Sequence, residues 1–182
     1  AETALVPVVS VDRTVDGSEV ASEVGSDNTQ GGALAAIALG RATNGNVVHL
    51  QGIAGASATL DRGAGFQQGL NSGGIKVVAR RTADFSRARA VEVMTDLLRR
   101  NTGIKGVFAD NDEMALGAIE ALGDRAGREV QVVGFDGTPE ALRSVETGRM
   151  AATVAQQPGL LARNAVEQAV NAVRGRHVRQ VV

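Results

Sequence analysis

The chain has 182 residues, 43% of them hydrophobic and 21% charged, with a formal net charge of -1. That length can bury one full core and a fraction of another, and the near-neutral charge lacks the basic excess of a nucleic-acid-binding face. The sequence has no cysteine and two histidines, His49 and His177, which excludes thiolate chemistry and Cys/His metal sites, and no apolar run approaches a membrane span.

In chain order, residues 4–11 read as a buried strand with nothing before it to pair with, ending at Asp12 and Arg13. Residues 21–32 are polar and turn-rich. Short runs rich in β-branched residues follow at 46–51, 75–80, 106–109 and 130–135, with helical patterns between them. After Ser86, the residues Ala90, Val93, Met94, Leu97 and Leu98 form one apolar helix face. Met114, Gly117, Ala118, Ala121 and Leu122 repeat that spacing, and Gly123 supplies a C-terminal cap.

The segment 132–142, VVGFDGTPEAL, carries the clearest local grammar. An apolar strand ends in Asp136, a glycine turn follows, and Thr138 and Pro139 suit the N-cap and first position of a helix. Asp136 therefore stands at the carboxyl end of a buried strand, the edge at which open α/β sheets bind ligands. Asn111 follows GVFAD and Gln156 follows AATVA in the same way. Beyond Pro158, Ala162, Val166, Ala169, Val170 and Val173 make an apolar helix face that needs a sheet to cover. Strands alternating with helices, in apolar runs without polar alternation, predict an α/β fold with a doubly wound parallel sheet covered on both faces. The two ends read as pieces of a second, similar lobe. No internal repeat, low-complexity tract or polar linker interrupts the chain.

Polar side chains at successive strand ends suit a small polyhydroxylated ligand. Carboxylates accept from paired hydroxyls, and arginine donates in a fixed fork. Each residue also has a plainer reading. Asp136 is a turn former and Asn111 an N-cap. Arg62 has a surface pair available with Asp61 or Glu92, Phe85 reads as core, and His49, inside an apolar strand, reads as structural. Enzyme readings fail on spacing. GIAGAS does not give the dinucleotide glycine pattern, no phosphate-loop motif exists, and the acidic run 110–113 lacks a calcium loop's glycine and distal glutamate. No histidine accompanies a serine motif, so no catalytic group, metal or cofactor is expected.

The stretches PVVSVDR, SDNTQGG, LQGIAGASATLDRGAGFQQGL, ADFSRARAVEVMTDLL, GVFADNDEMALGAIEAL, VQVVGFDGTPEAL and GRMAATVAQQPGLLARNAVE together resemble the ribose-binding proteins of bacterial sugar ABC transporters. The resemblance runs in order over nearly the whole chain. It implies two similar α/β lobes joined by three crossings, with sugar bound between them and delivered to a membrane permease outside the cytoplasm. On that plan, residues 1–26 are a remnant of the N-terminal lobe with the first crossing, 27–155 the C-terminal lobe, and 156–182 a helical return to the N-terminal lobe. Most of the N-terminal lobe, with its sugar-stacking aromatic pair, and any export signal would lie outside this sequence. The resemblance makes Asp12, Arg13, Arg62, Asn111, Asp136 and Gln156 hydrogen-bonding ligands of the sugar. It makes Phe85 the cover of one sugar face and places Arg62 in the first turn of a helix. D-ribose or a related sugar is the expected ligand, and uncovered apolar segments of the terminal pieces would favour self-association. The alternatives are the effector-binding region of a lac-repressor-type transcription regulator, which shares the two-lobe plan, and a truncated product that folds without binding.

Overall fold

The computed structural model describes residues 6–15, 17, 19–70, 74–101 and 103–179; Ala4 and Leu5 of the first expected strand lie outside these. The chain divides into two compact units, one of residues 1–27 and 157–182 and the other of Asn28–Gln156.

The larger unit holds one parallel sheet in the order β4-β3-β5-β6-β7, built from β3 (Gly45–Gln51), β4 (Ile75–Thr82), β5 (Ile104–Ala109), β6 (Gln131–Asp136) and β7 (Ala152–Ala155). Between the strands run α2 (Ser57–Gly69), α3 (Arg87–Arg100), α4 (Asp112–Leu122) and α5 (Pro139–Glu146), with α1 (Asn28–Ala42) ahead of β3. This is the doubly wound α/β arrangement expected from the alternation. The order reverses between β3 and β5, so the crevice of the sheet opens at their carboxyl ends. One face packs Leu50, Val107 and Val132 against Met94, Leu97, Met114 and Leu122. The other packs Val47, Phe108 and Val133 against Leu39 and Phe66. With both faces covered, the buried stretches of the central strands are apolar apart from His49. The outer strand β4 alternates instead, exposing Lys76, Val78 and Arg80, because an edge strand meets water and its charges discourage pairing with another chain.

α1 begins inside the segment that reads as turn-rich. Its glycines are there for close packing: a Cβ on Gly31 would stand 2.5 Å from the Phe135 ring, and one on Gly32 would overlap the Arg62 carbonyl. Helix starts follow the capping chemistry of the sequence. Ser86 accepts from Arg89 N–H, Asn111 from Met114 N–H and Thr138 from Ala141 N–H, with Pro139 following.

In the smaller unit, β1 (Val9–Val11) is shorter than expected and does have a partner, pairing in parallel with β2 (Ser22–Val24). α6 (Pro158–Val173) packs on both. Its buried residues are Ala165 and Gln168, whereas Val166, Val170 and Val173 are 64%, 40% and 77% exposed. The valine face expected to cover a sheet is thus turned away from the two strands present. Among the described residues, no helix is long and apolar enough to cross a membrane.

Candidate functional site

The carboxyl edge of the larger sheet gathers Arg62, Asp136 and Gln156. Arg62 lies in the second turn of α2, not the first, and is 4% exposed rather than paired at the surface with Asp61 or Glu92. Its Nε donates to Asn28 Oδ1 at 2.8 Å and its Nη1 to the Asp110 carbonyl at 2.5 Å. The guanidinium carbon rests 3.7 Å from the centre of the Phe135 ring, an arrangement that favours the cation. Nη1 is 3.7 Å from Asp136 Oδ1.

Asp136 closes β6 with φ of 121°, and its Oδ1 accepts from Gln156 Nε2 at 2.7 Å. Gln156 follows β7 and donates its own N–H to the Asp136 carbonyl at 2.9 Å. Burial pushes the Asp136 carboxyl up to about 6; the Gln156 hydrogen bond and the Arg62 charge pull it down, while neighbouring Asp112 pushes it up.

Asn111 combines two roles in one amide. Its Oδ1 caps α4 through Met114 N–H at 3.0 Å, and its Nδ2 donates to the Phe85 carbonyl at 3.4 Å. Phe85 is half-buried in the turn between β4 and α3, where Asp84 and Phe85 have φ of 56° and 58°. The ring lies directly on Gly52, where a Cβ would come within 2.1 Å of it, so this position needs glycine. Asp12 and Arg13 belong to the smaller unit and stand exposed after β1, with Arg13 Nε 4.0 Å from Asp12 Oδ2 and Asp12 at φ of 72°. The four non-glycine residues with positive φ among those described are Asp12, Asp84, Phe85 and Asp136. Backbone strain of this kind costs on the order of 1–3 kcal/mol per residue and concentrates at functional sites.

Three supporting residues were not singled out as part of the site by sequence. Asn28 holds Arg62, and Asp110 and Asp112 are fully buried. Asp112 accepts from Thr138 N–H and Thr153 Oγ1–H, both at 2.7 Å, tying the loop after Asp136 to β7. Burial raises its carboxyl above the usual range, against the lowering effect of those hydrogen bonds. The available signal was the run Asp110 to Glu113, in which Asp110 directly continues an unbroken apolar strand. Chemically, the cluster offers a fixed cation, a carboxylate, two amides and a ring face, a set able to pair with several hydroxyls of one small molecule. Among the described residues no group of three or more potential ligands could hold a metal ion.

A doubly wound lobe with polar side chains converging on its carboxyl edge defines the class: an α/β ligand-binding lobe. The model of the periplasmic binding protein domain matches residues 1–177, and the chain belongs to that family. It is 43% identical over 180 residues to the ribose import binding protein of Escherichia coli (strain K12), covering 98% of this chain and 61% of that protein. The ribose import binding protein of Bacillus subtilis (strain 168) is 42% identical over 179 residues, covering 97% and 58%. Among solved structures, the periplasmic solute binding protein of an ABC transporter from Actinobacillus succinogenes 130z, with bound D-allose, superposes with a TM-score of 0.92. It is 34% identical, with 99% of this chain and 68% of that one covered. The chain thus spans about three fifths of the length of the ribose import relatives it matches.

Proposed function

We propose that this chain is part of a solute-binding protein that binds D-ribose, or a closely related sugar, and presents it to a membrane permease outside the cytoplasm. It performs no catalysis in this reading. The observation that carries it is the Arg62–Asp136–Gln156 cluster, three hydrogen-bonding side chains fixed at one sheet edge within a fold whose relatives are sugar binders. Asp136 and the Arg62 fork receive adjacent hydroxyls, Asn111 offers an amide, and Phe85 covers a C–H face of the ring. A stereoisomer with a misplaced hydroxyl leaves the remaining hydrogen-bonding capacity of Asp136 or Asn111 unmet, which is how such a site discriminates.

Titrating the chain with ribose, glucose, galactose and xylose by NMR tests the proposal. Ribose should give the largest saturable shifts, at Arg62, Asn111 and Asp136, and Asp136→Asn should weaken them. Equal or tighter binding of a hexose overturns the sugar assignment, and shifts confined to other residues overturn the site.

A further inference from the structure

His49 and Asp110 are both fully buried, and the proposed sugar contacts use neither side chain. His49 Nε2 lies 2.6 Å from Asp110 Oδ1, joining the middle of β3 to the end of β5. Asp110 Oδ2 accepts Gly52 N–H at 2.9 Å, and its backbone N–H donates to the Leu50 carbonyl at 3.0 Å. Both carboxylate oxygens and the backbone amide are therefore spent on β3 and the turn after it. That leaves the Asp110 carbonyl aimed at Arg62, whose Nη1 it accepts.

The imidazole acts on the same helix from beneath. It stacks on Phe108 of β5 at 4.9 Å and tilts against Phe66 of α2 at 5.3 Å. A Cβ on Gly63, the residue after Arg62, would sit 3.5 Å from His49 Cε1. The ring thus supports the turn of α2 that carries Arg62. Two apolar side chains of like volume would serve stability about as well as a buried polar pair, because desolvation cancels much of the pair's attraction. They would not hold the Gly52 amide or fix the direction of the 110 carbonyl.

We infer that the His49–Asp110 pair is a positioning device for Arg62, setting the height of its helix turn and the direction of the carbonyl that holds its guanidinium. The inference rests on the proposed role of Arg62 in sugar binding. Neither His49 nor Asp110 touches the ligand. With Oδ2 taken by the Gly52 N–H, the short contact to Oδ1 is a hydrogen bond donated by His49 Nε2 in the tautomer that carries its hydrogen there. His49 Nδ1 has no hydrogen-bond partner among the described residues, so moving the hydrogen there would leave it buried and unpaired.

The test uses this chain and two readouts, the Arg62 Nε–H cross-peak in NMR, assigned by its loss in Arg62→Lys, and the ribose dissociation constant. Asp110→Asn keeps the shape, but either amide orientation sets an N–H against a donor or forces the histidine hydrogen onto Nδ1. It should move the Arg62 peak and weaken ribose roughly tenfold, an ordinary size for a broken coupled contact. His49→Leu should do the same, whereas His49→Gln, whose amide can donate at the Nε2 position, should keep both readouts within about twofold of the parent. Variants that lower the thermal midpoint yet leave the Arg62 peak and ribose affinity unchanged would show a purely structural pair and overturn the inference. A folded His49→Gln that behaves like His49→Leu would overturn it too. If the parent chain shows no ribose response, the functional reading fails, and the Arg62 peak alone decides the positioning claim.

Discussion

Asp136 concentrates the residue-scale chemistry of this chain. It ends its strand in a backbone conformation unfavourable for a side chain, and burial raises its carboxyl to about 6. The consequence for folding has a definite sign. A carboxyl whose folded value lies above the ordinary aspartate value of about 3.9 stabilises the fold most when protonated, so that contribution is full below about 4 and is lost as pH rises through about 6. Ligand binding runs the other way. Sugar hydroxyls donate to the ionised group and favour it, so affinity should rise with pH up to about 6 and level off above, with at most about a tenfold change per pH unit. Binding isotherms of ribose between acid and neutral pH check this, with Asp136→Asn as the variant that should flatten the profile. Affinity that rises on acidification would contradict the assignment of Asp136 as an acceptor. Sequence grammar could single out Asp136, Asn111 and Gln156 because Asp136 ends its strand, Gln156 follows its own directly and Asn111 comes two residues after the end of its own. It could not show Asn28 bonding to Arg62, or Asp112 to Thr153, since those pairs are 34 and 41 residues apart and become neighbours only when helices and strands stack.

At the scale of elements, the position of Arg62 depends on how closely α2 lies on α1. Gly32 and Gly65 face the other helix's backbone: added Cβ atoms would overlap the Arg62 carbonyl and the Thr29 carbonyl. A Gly65→Ala chain must push the helices apart, an overpacking cost of about 1–3 kcal/mol, and should lose several degrees of thermal midpoint. Gly63→Ala, two residues earlier in α2 and on another side of the helix, meets only ordinary contact with His49 and Gln51 and gains helix propensity. Thermal unfolding of the two variants should separate them, and equal midpoints would refute the close-packing account. The same glycines explain what the sequence hid. Read locally, SDNTQGG is a turn, and its glycines lower helix propensity; their reasons, the Phe135 ring against Gly31 and the α2 backbone against Gly32, are distant in sequence. By contrast, α3, α4 and α5 were legible because their evidence is local, an apolar face at 3.6 spacing for α3 and α4 and the Thr138–Pro139 start for α5. Arg87 then links those three helix starts by bonding Glu113 and Glu140, a tertiary contact no periodicity announces.

For the whole molecule, the two units differ in how well each buries its own apolar surface. The larger one fills both faces of a five-stranded sheet with fully buried side chains. Among its described residues, the smaller one has two three-residue strands and a helix, and leaves Val6, Val11, Val15, Val166, Val170 and Val173 at least 40% exposed. Helix periodicity in α6 was therefore legible, but not which side would find a partner, because Ala165 and Gln168 take the place against β1 and β2. Exposed apolar surface on a helix and beside short strands with open edges promotes association. We expect this chain to self-associate through the smaller unit, with an average mass in light scattering that rises with concentration. Replacing Val166, Val170 and Val173 with lysine should restore the monomer without altering the thermal midpoint of the larger unit, since none of the three belongs to it. A parent chain that stays monomeric across the concentration series, with α6 folded as described, would mean that these valines do not drive association.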